Sequence, residues 1–292
     1  MIKYLRYYKT AALFIFPQLL VTLIFFIWPA CQAVWQSLLF SDAFGMRSRF
    51  AGLQNFIDLF HSTDYLHAIG VTMVFSVAVT LITMSFGLGF AVLVHGRVRA
   101  QKFYKTMLIW PYAVAPAVAA ILWRFLCHPT MGWLPYLLQS IGFDFNYVVH
   151  PRQALAVVIV TACWQQFSYN FLFYFAALKL IPKPLLEAAI LDGASAWRRF
   201  WQITLPLLSP TTFFLLFMNL IYSFFDTFGI IHIMTRGGPE SSTTTMLYKV
   251  YEDGFVGMDP GSSSAQSVIL MVLVIAITLF QFRFLEKKVH YQ

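Results

Sequence analysis

The chain is 292 residues long, 59% hydrophobic and only 11% charged, with a formal net charge of +8. A mean hydropathy of +0.69, with charge far below the roughly 25% usual in soluble domains, excludes a water-soluble globular protein. What remains is an all-α, polytopic membrane protein.

Windows free of Asp, Glu, Lys and Arg run over Thr10 to Ser41, Tyr65 to Gly96, Thr106 to Trp123, Gln153 to Leu178, Phe200 to Phe225 and Pro260 to Phe282. Each reaches the ~18 residues that suggest a span, so six transmembrane helices are predicted, the fifth continuing past Asp226 to about His232. Lys and Arg alternate in density between connections. Lys3, Arg6, Lys9, Arg97, Arg99, Lys102, Lys105, Lys179, Lys183, Arg198, Arg199, Arg283, Lys287 and Lys288 fall on one side, and only Arg47, Arg49, Arg124, Arg152, Arg236 and Lys249 on the other. That asymmetry predicts cytoplasmic N- and C-termini and accounts for the net charge without a nucleic-acid partner.

Helix one, about Ala11 to Leu38, contains Pro17 and Pro29. A bilayer offers no water to freed carbonyls, so each proline predicts a kink or break covered by neighbouring protein. Basic residues ahead of this run, and Pro29-Ala30-Cys31 within it, imitate a processing signal, but the run is too long and the proline spoils the cleavage pattern. An uncleaved anchor is expected. Cys31, Cys127 and Cys163 show no disulfide or metal-ligand spacing and are expected to be small core residues.

Ser41 to Asp64 is expected to be a periplasmic loop with a short helix near Leu53 to Phe60. Helix two, about Ala68 to Val94, holds Gly87 and Gly89, which permit close helix packing. Helix three, Thr106 to Leu126, carries Pro111 and Pro116 and ends in Trp123, Arg124 and His128, anchors for the outer interface. Turn signals at Pro129, Gly132, Pro135 and Pro151 then lead into helix four, Ala154 to Leu178. Gln165, Gln166, Ser168, Tyr169 and Asn170 form a polar run at its middle, with Gln166 and Asn170 on one face and Gln165 and Tyr169 on another. Such side chains either bond to neighbouring helices or line a solute path.

Helix five, about Thr211 to His232, places Asn219, Ser223 and Asp226 on one stripe. A carboxylate in a span costs about 2.5–3.5 kcal/mol, so Asp226 is expected to reach water or to pair with Arg124 or a cation of a second subunit. After it, Gly237-Gly238-Pro239 predicts a turn, Thr243 to Phe255 a solvated loop, and about Ala265 to Phe284 the sixth helix.

Between helices four and five lies Glu187 to Pro206, EAAILDGASAWRRFWQITLP, too charged for lipid. Pro184 suits a first helical turn, Glu187 lies near the positive helix end and Gly193 can take a left-handed stop. A short helix from about Pro184 to Asp192 is predicted, then a bend, then a second helical piece from Ala194 to Leu205 closed by Pro206. Ala188 and Ala189 would let a partner approach closely, and Arg198 and Arg199 would meet an acidic rim. From residue chemistry alone, an amphipathic helix on the membrane surface is the alternative.

The spacing Glu187-Ala188-Ala189, three residues, Gly193, nine residues, Ile203-x-Leu205-Pro206 resembles the EAA loop of permease subunits of ATP-driven, binding-protein-dependent importers. From end to end the chain is similar to their carbohydrate-uptake branch, at Pro17 and Pro29, Gly52-Leu53-x-Asn55-Phe56, Thr72, Pro111, Pro116, Trp123, Gly132, Gly237-Gly238-Pro239, Thr243, Tyr251 and Ser264-Ala265. PYAVAPAVAA, SYNFLF, FFDTF and SSAQSV look like the first permease subunits of bacterial sn-glycerol-3-phosphate importers.

The resemblance implies a type I importer permease fold, with residues 1–64 as tail, first helix and periplasmic loop, and 65–292 as permease core with the EAA loop at about 181–206. It also implies location in the bacterial inner membrane and four kinds of neighbour: a homologous second permease, two cytoplasmic ATPase subunits, a periplasmic binding protein and lipid. Glu187, Ala188, Ala189, Asp192, Gly193, Ile203, Leu205 and Pro206 would couple to the ATPase. With no G-x-x-x-x-G-K-[ST] in the chain, ATP and Mg²⁺ would be held by that partner, and this chain would be a transport subunit, not an enzyme.

Glycerol phosphate is an anion, whereas the cations Arg124, Arg152 and Arg236 lie near or outside the outer boundary. Gln166, Asn170, Asn219, Ser223 and Asp226 are the path candidates, either as a neutral lining or with charge supplied by the second permease. A permease for an uncharged sugar or polyol is one alternative. An ion-coupled secondary carrier is another, for which an intramembrane carboxylate and broken helices would be natural. An intramembrane enzyme is disfavoured because the histidines are scattered near span ends and in loops.

Overall fold

A computed structural model describes residues 13–41, 48–96 and 101–285. Lys3, Arg6, Lys9, Arg47, Arg97, Arg99, Lys287 and Lys288, which enter the charge asymmetry, lie outside the described residues. The chain divides into two compact units, Met1–Thr63 with Lys249–Val272, and Asp64–Tyr248 with Leu273–Gln292.

The first unit begins with helix α1, Leu13–Ser37. It runs through both prolines without a break, one of the two outcomes, kink or break, expected of them. A π-turn at Leu23–Ile27 precedes Pro29. The wider turn relaxes the i−4 contact that a proline ring would otherwise clash with. The most apolar window of α1 is unburied in this chain, so the expected cover by neighbouring protein is not supplied from within it.

An antiparallel hairpin, β1 (Leu39–Ser41) with β2 (Ser48–Phe50), pairs Leu39 with Phe50. It was not foreseen, because three-residue strands carry too little alternation to register as a pattern. Helix α2, Gln54–His61, matches the predicted short helix. Buried Asn55 fixes it to the end of α1, its Nδ2 donating to the carbonyls of Ser37 (2.8 Å) and Leu39 (3.0 Å). The segment expected to be a solvated loop contains a helix, Met246–Tyr251, continued by a π-turn at Glu252–Val256. Within this unit Lys249 Nζ pairs with Asp253 (2.8 Å) and Glu252 (3.7 Å). Fully buried Gln266 donates to the other Asp253 oxygen.

In the second unit, α3 (Thr63–His95) begins at the unit boundary, and α7 (Pro151–Leu180) is the central post. Against α7 pack α4 (Gln101–Ile109), α5 (Pro116–Leu126), α10 (Ser209–Asp226) and α11 (Phe228–Met234). The core beneath them holds Ala91, Phe171, Tyr174, Phe175, Leu208 and Leu215. The third span is not one helix. Residues Gln101–Ala113 and Pro116–Leu126 meet at 99°. Pro111 tightens a 3₁₀ turn at Trp110–Ala113, and Ala115, preceding Pro116, is extended at ψ 141°.

Helix α6, Trp133–Ser140, occupies what was expected to be loop, its turn residues Gly132 and Pro135 lying at its start. Helix α8 is Lys183–Leu191, and α9 runs over Ala196–Leu207. Leu208 separates α9 from α10 at an angle of 66°. The sixth span starts at Pro260, earlier than predicted, and runs to Phe280. The part beyond Leu273 belongs to the second unit, where Gln281 donates to the Phe213 carbonyl at 3.0 Å and Phe282 packs on Phe213 and Phe217.

Candidate coupling loop and membrane cavity

The loop between α7 and α10 is a helix, an elbow and a second helix. Gly193 has φ +77°. Its N–H bonds to the Ile190 carbonyl (3.0 Å), and the Ala194 N–H bonds to Ala189 (2.9 Å). This Schellman pairing satisfies the carbonyls at the end of α8. Nothing lies within 4 Å of where a Gly193 Cβ would be, so the dihedral angle, not space, demands glycine. Beyond the elbow, Ser195 Oγ accepts the Arg198 N–H (3.3 Å) as an N-cap, and Arg199 donates to the Ala194 carbonyl.

Pro206 does not close the second helix. A π-turn at Phe200–Thr204 takes the helix through the proline to Leu207, with Leu205 N–H bonded to Phe200 O five residues back. Ile203, Leu205 and Pro206 are half-buried. Ala189 is buried, while Glu187, Ala188, Asp192 and Gly193 are exposed. Beside them stands an uncovered apolar surface of Leu185, Ile190, Leu191 (89% exposed) and Trp197 (71%), with Trp197 and Trp201 edge to face at 5.4 Å. Patches of that kind mark contact with protein or membrane. Toward the C-terminal end of α7, the buried Phe175 ring carries Lys179 Nζ at 4.8 Å and Lys105 Nζ at 5.5 Å.

Farther along, the break in the third span opens a cavity of about 510 Å³. Its polar lining is Tyr112 from the 3₁₀ turn, Gln165, Gln166 and Tyr169 from α7, and Tyr222 and Asp226 from α10. Gln165 holds the break in place: its Nε2 donates to the Val114 carbonyl (2.8 Å) and its Oε1 lies 3.5 Å from the Tyr222 hydroxyl, which also reaches Ala162 O (3.3 Å). Tyr112 and Tyr169 face each other with centroids 5.5 Å apart.

The predicted path residues separate into two groups. Asn170 and Asn219 are fully buried and bond to each other, with Gln166 Nε2 (3.2 Å) and Thr83 Oγ1 (3.4 Å) reaching the same Asn219 oxygen. They form an interhelical lock and do not line the cavity. Ser223 is also buried, donating to Leu220 O (2.9 Å) in its own helix. Gln166 and Asp226 do line the cavity.

The predicted stripe fails because the π-turn at Tyr222–Asp226 shifts the register of α10, turning Asp226 away from Asn219 and Ser223. The expected pair of Asp226 with Arg124 is not formed. Arg124 Nη1 instead donates to the Ile233 carbonyl (3.0 Å), at the free C-terminal carbonyls of α11. Gln165 and Tyr169 belong to the polar run read from sequence as helix-bonding or path-lining; Tyr112 and Tyr222 were not singled out, although prolines bracketing Tyr112 to Ala115 marked the break that exposes them.

Gly237 and Gly238 lie in a packed turn. Thr244 Oγ1 donates to the Gly237 carbonyl (3.1 Å) and Thr243 Oγ1 to Gly238 O (3.2 Å). Pro239 accepts the Ser242 N–H at 2.9 Å.

A bundle of apolar helices with a broken third span and an exposed helical elbow defines a transport permease. Residues 83–291 match the family model described as "Binding-protein-dependent transport system inner membrane component". The chain is 54% identical over 275 residues to the sn-glycerol-3-phosphate transport system permease protein of Brucella abortus, covering 94% of each chain. It is 51% identical over 280 residues to that of Escherichia coli (strain UTI89 / UPEC), covering 96% of this chain and 95% of the other.

A crystal structure of a bacterial ABC transporter that imports the acidic polysaccharide alginate superposes with TM-score 0.84 at 23% identity, over 98% of both chains. A bacterial alginate ABC transporter solved in complex with an alginate pentasaccharide-bound periplasmic protein gives TM-score 0.82 at 23% identity, over 96% of this chain and 95% of that one. This chain belongs to the family of inner-membrane components of binding-protein-dependent transport systems. It is a multi-pass transport subunit of an ABC importer and not an enzyme, which sets aside the ion-coupled carrier and the intramembrane enzyme.

Proposed function

We propose that this chain is the first of two homologous permeases in an importer of sn-glycerol-3-phosphate, with related glycerophosphodiesters as further cargo. Identity of 51–54% over nearly the whole length of permeases named for that substrate supports the cargo. The observation that carries the coupling is the elbow at Gly193, with exposed Glu187, Ala188 and Asp192 beside uncovered Leu191 and Trp197.

In this reading both termini are cytoplasmic, residues 65–292 form the permease core and residues 1–64 the tail, first transmembrane helix and periplasmic loop. The elbow docks on one of two cytoplasmic ATPase subunits, which hold ATP and Mg²⁺, and Glu187, Ala188, Ala189, Asp192, Gly193, Ile203, Leu205 and Pro206 form or support the docking surface. A stiff helix pair joins two elements that each have two states, so ATPase closure biases the span arrangement and a loaded periplasmic binding protein biases it reciprocally.

A permease for an uncharged polyol is a second reading, favoured by the Asp226 carboxylate in the cavity. Proteoliposomes holding the co-purified complex decide between them. ATP-dependent uptake of sn-glycerol-3-phosphate supports the first; uptake of an uncharged polyol alone supports the second. Failure of any ATPase to co-purify would overturn the coupling.

A further inference from the structure

The cavity at the break of the third span holds one carboxylate and no Lys or Arg, although the proposed cargo is an anion. We infer that it is a polyol-hydroxyl subsite in which Asp226 is the specificity-determining residue, taking the diol end of the cargo while the phosphate points away. This assignment takes the cargo proposed above as given.

The lining divides into frame and free groups. Gln165 and Tyr222 are committed to Val114, Ala162 and each other, and Gln166 Nε2 to Asn219. The Asp226 carboxylate makes no hydrogen bond or ion pair with any described residue. Tyr112, Tyr169 and Gln166 line the same cavity.

An ionised carboxylate is acceptor only, so it takes the hydrogens of hydroxyl groups. It repels a phosphate brought within a few ångströms. A phosphate site would need clustered donors, and among the described lining side chains the unbonded donors are the two phenols. The paired rings of Tyr112 and Tyr169 offer faces for the C–H edges of a polyol. A volume of about 510 Å³ suits a small ligand.

The test uses the full importer in proteoliposomes, with saturating loaded binding protein so that capture does not limit. It compares the maximal uptake rate of sn-glycerol-3-phosphate with that of propane-1,3-diol phosphate, which lacks the C2 hydroxyl. Wild type is expected to favour the first by about tenfold, the scale of one hydrogen bond to a charged group. Asp226→Ala should bring the ratio toward one, and Tyr169→Phe should lower it.

An undiminished ratio in Asp226→Ala with the ATPase still co-purifying, or no discrimination by wild type, overturns the inference. If Asp226→Ala does not assemble, Tyr169→Phe decides by the same ratio, since it removes a single hydroxyl and keeps the ring. If wild type moves neither phosphate but moves an uncharged polyol with ATP, the cargo reading falls. Glycerol against propane-1,3-diol then tests the subsite independently.

Discussion

Asn170 and Asn219 exchange a reciprocal pair of amide hydrogen bonds across two helices, at 2.9 and 2.7 Å, with both side chains fully buried. Each amide satisfies the other where neither lipid nor water could. Asn219→Ala would leave Asn170 and Gln166 short of a partner and should cost about 1–2 kcal/mol of stability in detergent or bicelles. Asn170→Ala should cost a similar amount, and the double variant less than the sum, because the second change removes a group already orphaned. Thermal unfolding of the purified permease measures both.

The same asparagine sets the closeness of α3 and α7. A Cβ at Gly87 would lie 2.5 Å from Asn170 Cβ and 3.0 Å from Phe171 N, whereas at Gly89 it would meet nothing within 4 Å. Gly87→Ala is expected to destabilise the protein by about 1–3 kcal/mol through overpacking. Gly89→Ala should be neutral in the same unfolding assay.

Gly193→Ala has no steric obstacle in space but forces a Cβ into the left-handed region, a penalty of about 1–2 kcal/mol on the elbow. Substrate-stimulated ATP hydrolysis by the assembled importer should fall while the subunits still co-purify. Gly193→Asn, better tolerated at positive φ, should retain more hydrolysis than alanine.

Gln165→Leu keeps the bulk of the side chain but withdraws the donor from the Val114 carbonyl and the acceptor near Tyr222. A loss of about 1–3 kcal/mol is expected from the orphaned carbonyl. Faster hydrogen exchange should be confined to Trp110–Ala120, where the break is no longer tied to α7.

From sequence alone came the membrane class, the position of the elbow and the need for Gly193, because each rests on local quantities: apolar composition, charge, or one backbone dihedral; of the six predicted spans, four are single long helices and two are bent pairs. Asn170 and Asn219 lie 49 residues apart, and only packing decided that they face each other and not a solute. Proline chemistry was legible, yet its outcome depended on neighbours. Pro29 and Pro206 are carried inside continuing helices by π-turns, while Pro111 and Pro116 produce a real break. Asp226 shows the same limit: one π-turn re-aims it from the expected stripe into the cavity, a shift that 3.6-residue periodicity cannot anticipate.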